Sequence, residues 1–271
     1  MTVNHHWVDN LSPFVFQFSD GFGLRYYGLA YLLAFFAGYA ILCHLRRRGQ
    51  SPLTREQELD AIFALIVGVF AGGRIGYMLL YGWHELAANP LSLFEIWKGG
   101  MSSHGGFIGV ALACAWISWR KRIRFLSLSD ILCVMVPPGL FLVRIANFIN
   151  GELWGKISNV SWAVVFPRSA ASGTPLDAIP PWHPSQLYEA LLEGVILFLY
   201  TQWRCRKTKA LKHPGQLSGE FLILYALCRI FGEQFREPDA TLIMGVSRGV
   251  FYSFFLFMAG TIVILFARRN K

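Results

Sequence analysis

Four arginines lie inside or at the ends of apolar stretches, where an ionised side chain is costly unless it faces a polar cavity or a partner, namely Arg25, Arg74, Arg144 and Arg229. Arg144 falls late in the stretch from about 128 to 148, and Arg229 falls late in the stretch from about 216 to 234. A planar guanidinium can donate two hydrogen bonds to a phosphate while neutralising its charge. If the two stretches are neighbouring helices, these arginines predict a phosphate-binding pocket. The alternative for either residue is a structural ion pair between helices.

Further polar side chains accompany both arginines at helical spacing. Residues three, four, seven or eight positions apart lie on one face of a helix. The side chains concerned are Tyr225, Arg229, Glu233 and Arg236 in one stretch, and Arg144 and Asn147, followed by Asn150 and Glu152, in the other. Such faces are poorly suited to contact lipid but well suited to line a cavity, so we predict that they bind a substrate.

A candidate for proton transfer is also present. His104 begins an apolar stretch as His-Gly-Gly, and an imidazole can accept and donate a proton near neutral pH. The adjacent Gly105 and Gly106 leave room for a ligand or another backbone to approach. Tyr225, one helical turn before Arg229, is a competing candidate. The alternative for His104 is a hydrogen bond to a neighbouring segment, with no role in catalysis.

The cysteines and histidines indicate neither a metal site nor a disulfide framework. The five cysteines lie in apolar stretches or beside basic clusters, and no Cys–His spacing matches a zinc site. The His-Glu-x-x-His motif of metalloproteases is absent from the sequence. We therefore expect neither a metal nor an organic cofactor.

The composition is that of a membrane protein. Hydrophobic residues make up 54% of the 271 residues and charged residues 15%, against about 25% charged residues in soluble proteins. The chain therefore has too few polar side chains to cover a surface that faces water. Seven apolar stretches approach the length of about 20 residues that a helix needs to cross a bilayer. We predict an all-α, polytopic protein of about seven transmembrane helices, at about 24–45, 60–82, 104–119, 128–148, 185–203, 216–234 and 249–267.

The basic residues are clustered after alternate stretches, namely the first, third, fifth and seventh. Because Lys and Arg in loops remain on the cytoplasmic side of a membrane, this pattern predicts an outer N-terminus and a cytoplasmic C-terminus. It also accounts for the net charge of +9 without a nucleic-acid partner. Residues 1–271 are then a single membrane domain, with the segment from about 149 to 184 inserted as a small outer cap.

Composition and topology leave two functional classes open. One is an enzyme that acts on a phospholipid headgroup at the outer leaflet, and the other is an anion transporter or channel that uses Arg144 and Arg229 as anion-binding groups. A transporter would be expected to distribute polar residues along the whole crossing. Here the unusual polar residues cluster toward one face, which favours the enzyme.

Five sequence motifs, spread over most of the chain, resemble those of the bacterial prolipoprotein diacylglyceryl transferase family, as does Tyr27-Gly28 in the first apolar stretch. Their order along the chain is also that of the family. The motifs are Gly72-Gly-Arg-Ile-Gly-Tyr77, Gly99-Gly-Met-Ser-Ser-His-Gly-Gly106, Arg144-Ile-Ala-Asn-Phe-Ile-Asn-Gly-Glu-Leu-Trp-Gly155, His183-Pro-Ser-Gln-Leu-Tyr-Glu189 and Arg229-x-x-x-Glu-x-x-Arg-x-Pro-Asp239.

The resemblance implies a transferase of the bacterial cytoplasmic (inner) membrane, with its active site toward the periplasm. Its partners would be phosphatidylglycerol, the signal peptide of a prolipoprotein with its lipobox cysteine, and membrane lipids. The diacylglyceryl group would move to the cysteine thiol, forming a thioether and releasing glycerol phosphate. The resemblance makes His104 or Tyr225 the base and the two arginines the phosphate ligands. It assigns phosphatidylglycerol binding to Arg144, Asn147, Asn150, Glu152, Arg229, Glu233, Arg236 and Tyr27.

Five positions depart from the family pattern. Val143 and Ala146 stand where the family usually has glycine, and Val246–Arg248 stand where the family usually has glutamine, leucine and serine after Met-Gly. We expect the first two to crowd the helix surface beside Arg144, and Arg248 adds a positive charge near the outer face. All five bear on the fit of the lipid headgroup and on the range of acceptors.

Overall fold

Helices occupy all seven apolar stretches in the computed structural model, which describes residues 2–3, 5–19, 22–95, 99–238 and 241–269. A π-helical segment, Ala190–Ile196, connects the seventh α-helix to the eighth. In chain order the α-helices are α1 (Tyr26–Arg47), α2 (Arg55–Leu80), α3 (Trp83–Ala88), α4 (Ser103–Lys121), α5 (Phe125–Met135), α6 (Pro137–Ile149), α7 (Ser185–Glu189), α8 (Leu197–Lys207), α9 (Gln216–Gly232) and α10 (Arg248–Arg269). Short 3₁₀ turns lie at Pro90–Phe94, Pro167–Ser169, Leu176–Ala178 and Ala210–Lys212.

Three of these helices, α1, α2 and α10, are long and apolar enough to cross a membrane by themselves. A fourth candidate span consists of α5 and α6, which meet at a bend of 43°. The bend falls at Pro137 and Pro138, which have no backbone N–H to continue the hydrogen bonds of the preceding helix. The described residues are therefore mostly helical, with three to four candidate membrane spans.

The expectation of an all-α protein overlooks several short strands. Four of them form a sheet in the order β1 (Thr2–Val3), β2 (His6–Val8), β5 (Val164–Val165) and β6 (Pro181–Trp182), and β3 (Phe14–Ser19) pairs with β4 (Phe22–Arg25). Strand β2 pairs in parallel with β5, so the N-terminal segment is joined to the segment expected to form the cap. Val8, Val165 and Ile179 are buried together there. The pairing was missed because its partners are more than 150 residues apart and each strand is too short to show a pattern.

The chain divides into two compact units, of which the first contains Met1–Gly38 and Leu132–Lys271 and the second Tyr39–Ile131. In the second unit, α2 and α4 pack through glycines. A Cβ atom on Gly68 would lie 2.6 Å from the carbonyl oxygen of Gly109, and a Cβ atom on Gly76 would lie 2.6 Å from the Cα atom of Gly105. The two helices can approach this closely only because these positions have no side chain.

Arg74 of α2 has a structural role in the second unit. Its guanidinium, which is 4% exposed, donates to the carbonyl oxygens of Ser92 at 2.6 Å, Leu93 at 3.1 Å and Gly100 at 3.2 Å. The side chain therefore ties α2 to the 3₁₀ turn and to the loop before α4. Ser102 completes this arrangement by accepting a hydrogen bond from the backbone N–H of Gly105 in the first turn of α4.

In the first unit, close helix packing brings the polar segments together. A Cβ atom on Gly194 of the π-helical segment would lie 2.6 Å from Cβ of Phe141, so this segment lies directly against α6. A Cβ atom on Gly219 of α9 would lie 2.6 Å from the carbonyl oxygen of Gly260 on α10. The π-helical segment also packs against α9. It is therefore in contact with the helices that carry both Arg144 and Arg229.

Candidate active site

Three arginines and three glutamates of the first unit form one connected set of ion pairs, which we call the Arg–Glu network. Its members are Arg144, Arg229, Arg236, Glu189, Glu193 and Glu233. On α6, Arg144 Nη1 lies 3.0 Å from Glu189 Oε2, and Arg144 Nη2 donates to Glu193 Oε2 at 3.0 Å. Each nitrogen thus contacts a different carboxylate, which fixes the plane of the guanidinium.

Arg229, on α9, contacts the same two carboxylates. Its Nη1 lies 2.7 Å from Glu189 Oε1 and 3.2 Å from Glu193 Oε1, and its Nη2 donates to Glu233. The guanidiniums of Arg144 and Arg229 therefore converge from two helices onto shared acids, as the spacing argument requires. Ion pairing, which was the alternative interpretation of each arginine, is also present.

Burial distinguishes the acids from the two converging arginines. The side chains of Glu189 and Glu193 are 1% and 0% exposed, whereas those of Arg144 and Arg229 are 16% and 14% exposed. The side chains of the two arginines are therefore partly accessible, whereas the bridging glutamates are enclosed by the protein. The six side chains have no net formal charge. The acids are oriented to hold the guanidiniums in place and to balance their charge in the absence of a ligand.

The two bridging glutamates come from an unusual stretch of helix. Glu189 ends α7, and Glu193 lies within the π-helical segment Ala190–Ile196. A π-helical turn contains one more residue than an α-helical turn, and such insertions occur frequently at functional sites. Neither acid was predicted from the sequence as a residue of the site. Their i, i+4 spacing in an apolar stretch is the signal that could have identified them.

Arg236 and Glu233 have supporting positions in the network. Arg236 Nη1 lies 3.0 Å from Glu189 Oε1, and the residue is 5% exposed. Glu233, at the C-terminal end of α9, pairs with Arg229 one turn earlier. Both residues are therefore ion-pair partners within the network, and their role in binding phosphatidylglycerol remains a prediction. Asp239, which belongs to the same motif, lies outside the described residues.

A second cluster of site residues lies beside α6. Asn147 Nδ2 donates to Glu152 Oε1 at 2.9 Å and to the hydroxyl oxygen of Tyr27, and Asn150 Nδ2 donates to Glu152 Oε1 at 3.4 Å. We call these four residues the amide cluster. Asn147 Oδ1 and Asn150 Oδ1 are buried and accept no hydrogen bond from the described residues. Two acceptor atoms are thus left for a ligand that carries hydroxyl donors.

The two candidate bases lie in different units. Tyr225, on α9, is within electrostatic range of Glu193, Arg144 and Arg229, and its ring stacks on Phe221 with centroids 6.2 Å apart. His104 lies in the first turn of α4 in the second unit, and its side chain is exposed. The structure therefore groups Tyr225 with the Arg–Glu network, and the catalytic role of His104 remains a prediction.

All five positions that depart from the family pattern lie in the first unit. Ala146 is 2% exposed, so its methyl group is packed within the protein, and Val143 is half-buried. Arg248, at the start of α10, donates from Nη2 to Thr241 Oγ1 at 3.1 Å and is tied to the loop that precedes its own helix.

Comparison with known proteins supports the resemblance. The sequence pattern of the family described as Prolipoprotein diacylglyceryl transferase matches residues 13–266. A protein of Zymomonas mobilis subsp. mobilis named phosphatidylglycerol–prolipoprotein diacylglyceryl transferase is 38% identical over 281 aligned residues, which cover 100% of this chain and 95% of that protein. Proteins with the same name from Rhodopseudomonas palustris and Shewanella oneidensis are each 44% identical, covering 92% and 86% of this chain and 87% and 86% of the respective relatives. The chain belongs to the prolipoprotein diacylglyceryl transferase family.

Proposed function

We propose that this protein transfers the diacylglyceryl group of phosphatidylglycerol to the lipobox cysteine of prolipoproteins. The cysteine sulfur forms a bond to the terminal glyceryl carbon, the bond between that carbon and the phosphate oxygen breaks, and glycerol phosphate leaves. The thiol proton is taken up by a base. The observation that carries the proposal is the convergence of Arg144 and Arg229 on the same two buried glutamates, in a chain whose relatives bear the name of this activity.

The Arg–Glu network matches the electrostatic demand of the reaction. The phosphodiester has one negative charge, and the phosphate gains a second as the carbon–oxygen bond breaks. Guanidinium donors that are already oriented stabilise developing charge more effectively than donors that must reorganise. Glu189 and Glu193 are buried and pair with Arg144 and Arg229, whose side chains are partly exposed, and in this proposal the phosphate binds the two guanidiniums. The bridging acids are thus positioning residues.

The amide cluster supports recognition of a glycerol headgroup. The free acceptors Asn147 Oδ1 and Asn150 Oδ1 can bind the two hydroxyl groups that distinguish phosphatidylglycerol from lipids without such donors. Tyr27 and Glu152 hold the Asn147 amide in place. In this proposal the arginines bind the charge common to phospholipids, and the amides select the headgroup.

Two residues are proposed as acceptors of the thiol proton. A neutral imidazole is basic enough to accept a proton from a thiol near neutral pH, which favours His104. Tyr225 has the better-defined position beside the arginines, but a phenol must itself lose a proton before it can act as a base. We propose His104 as the base and Tyr225 as a group that orients the substrate or the network.

The membrane topology is part of the proposal. The seven helical segments are proposed to cross the cytoplasmic membrane seven times, with the N-terminus in the periplasm and the C-terminus in the cytoplasm. This is supported by the basic clusters after alternate segments and by the occurrence of Arg144 and Arg229 late in helices of the same direction. The Arg–Glu network then lies near the periplasmic side, under a cap of residues 149–184. Both substrates, which are membrane-embedded, would enter sideways from the lipid.

The test is a transfer assay with purified protein, phosphatidylglycerol and a lipobox peptide. We expect a thioether-linked diacylglyceryl peptide and an equal amount of glycerol phosphate, with no added metal. The same protein reconstituted in vesicles should not increase anion flux. Anion flux without peptide modification would contradict the proposal and favour the transporter.

A further inference from the structure

A cavity of about 230 Å³ lies in the first unit, away from the Arg–Glu network. It is formed where three helices end: the C-terminus of α8, the N-terminus of α9 and the C-terminus of α10. Its lining residues are Arg204, Thr208, Lys209, Ala210, His213, Gln216 and Arg268. Gln216 and Arg229 are thirteen residues apart on α9, which corresponds to roughly 20 Å along a helix. The cavity is therefore at the opposite end of that helix from the candidate active site.

The charge of the cavity suits an anion. Its lining contains Arg204, Lys209 and Arg268 but no acid, and Glu220 accepts a hydrogen bond from Arg204 Nε at 2.6 Å. Three cations against one carboxylate leave two positive charges, before His213 is considered. The ion pair with Glu220 fixes Arg204 in one orientation, while the side chains of Lys209 and Arg268 are exposed.

Gln216 provides a second observation that points to a ligand. The residue is 8% exposed, and its Nε2 donates to Glu220 Oε1 at 2.6 Å. Its Oε1 is buried and accepts no hydrogen bond from the described residues. Because Nε2 is held by the carboxylate, the amide cannot turn to satisfy Oε1 within the protein. An acceptor at the edge of a basic cavity suits a ligand that combines an anion with hydroxyl donors.

The surroundings favour a lipid over a soluble anion. Leu265, one turn before Arg268 on α10, is 60% exposed, and Trp203, next to Arg204 on α8, is 53% exposed. These apolar side chains lie beside the charged ends of their helices, where tryptophan is typical of a membrane–water interface. A phosphate in the cavity could therefore continue into acyl chains along the exposed apolar flanks of α8 and α10.

We propose that this cavity binds the phosphate headgroup of an anionic phospholipid with hydroxyl groups, at the membrane face opposite the active site. Basic pockets between the cytoplasmic ends of transmembrane helices are suited to such headgroups. The bound lipid would link the ends of α8, α9 and α10. The proposal does not depend on the transfer reaction, and none of the lining residues belongs to the Arg–Glu network or the amide cluster.

The experiment counts lipids that remain bound to the intact protein in native mass spectrometry. The variant K209A/R268A removes two charges from the cavity, and R206A/R269A removes two charges from the same helix ends outside it. With dimyristoylphosphatidylglycerol we expect K209A/R268A to retain one lipid fewer than the wild type and R206A/R269A to retain the same number. With dimyristoylphosphatidylcholine the three proteins should not differ.

Three results would overturn the proposal. Equal losses in both double variants would indicate diffuse surface attraction, and equal retention in all three proteins would show that no lipid depends on the cavity. A thermal stabilisation by inorganic phosphate or glycerol 3-phosphate that is lost in K209A/R268A, with unchanged lipid counts, would assign the cavity to a soluble phosphate. Both variants should retain transferase activity, which also serves as the test that they are folded.

Discussion

The side chain of Glu193, which is 0% exposed, accepts a hydrogen bond from Arg144 Nη2 at 3.0 Å. A carboxylate of the π-helical segment is thereby buried against a guanidinium of α6. If the pair separated, each residue would leave a charge without a partner in a buried site, which is strongly disfavoured. The two side chains therefore remain paired. The ion pair explains how Arg144 can be partly exposed and still be held in one orientation, and Glu193 pairs with Arg229 as well.

We predict that E193A destabilises the protein and reduces transfer. The substitution leaves the network with an uncompensated positive charge, and the loss of one partner of a buried pair typically costs about 3–5 kcal/mol. E193Q keeps an acceptor atom and should lie between E193A and the wild type. Thermal unfolding and initial transfer rates measure the two effects. E237Q changes an exposed glutamate of the same unit and is the control; an unchanged unfolding temperature in E193A would contradict the assignment.

We predict that R144A and R229A each reduce kcat about 10²–10³-fold, as expected for the loss of one oriented donor of transition-state charge stabilisation. R144K and R229K retain the charge but lose the planar fork, so their rates should fall between those of the alanine variants and the wild type. Single-turnover transfer to a lipobox peptide provides the measurement. R206A, an exposed arginine on α8, should behave as the wild type. Full activity in either alanine variant would reject the phosphate-binding role.

Substitutions in the amide cluster should change the selectivity for the lipid headgroup more than they change kcat. In N150A the buried acceptor Oδ1 is removed while Arg144 and Arg229 remain paired with their glutamates. We expect a higher KM for phosphatidylglycerol, little change in kcat, and a smaller preference for phosphatidylglycerol over phosphatidylethanolamine. Competition between the two lipids in mixed micelles measures that preference. A preference equal to that of the wild type would show that Asn150 does not contact the headgroup.

The two candidate bases can be separated by comparing H104Q with Y225F. If His104 accepts the thiol proton, H104Q should lower kcat and change the pH–rate profile, whereas Y225F should lower the rate without changing the shape of the profile. A second measurement uses a lipobox peptide whose cysteine thiol has a lower pKa and is already ionised at the assay pH. Such a peptide should partly restore the transfer rate of the variant that lacks the base. An unchanged rate and profile in H104Q would transfer the role to Tyr225 or to solvent.

The cap should lose stability as the pH falls because of His183. Burial lowers the pKa of this imidazole from its ordinary value of 6.5, and Nδ1 lies 3.1 Å from the hydroxyl oxygen of Tyr188. The neutral form is therefore favoured in the folded state. Its contribution to stability is complete above pH 6.5 and is lost as the pH falls through the lowered pKa.

Hydrogen exchange measures this effect at the backbone amides of Lys156 and Gly155, which lie beside His183. Protection should decrease between pH 7.5 and pH 5 after correction for intrinsic exchange, and H183N should have a weaker pH dependence. H84N, which alters an exposed histidine of the second unit, should leave the pH dependence of this protection unchanged. A pH dependence that is the same in H183N and the wild type would contradict this account.

The membrane character, the positions of the helices and the residue types of the candidate site follow from local patterns in the amino-acid sequence. Apolar length and basic clusters are local properties, so the seven apolar stretches coincide with helices of the structure. The motifs likewise identified Arg144 and Arg229 without any knowledge of packing. Local patterns could not predict the pairing of β2 with β5, because the two strands are more than 150 residues apart in the chain.

Which side chains meet depends instead on how the helices pack against one another. Glu189 and Glu193 become bridging acids because the π-helical segment packs against both α6 and α9, and Gly194 allows the close approach to Phe141. Arg74, which has the same residue type and a similar apolar context, instead binds backbone carbonyl oxygens in its own unit. The physical reason is that the partner of a buried charge depends on helix register and separation, and these are set by packing between segments that are distant in the chain.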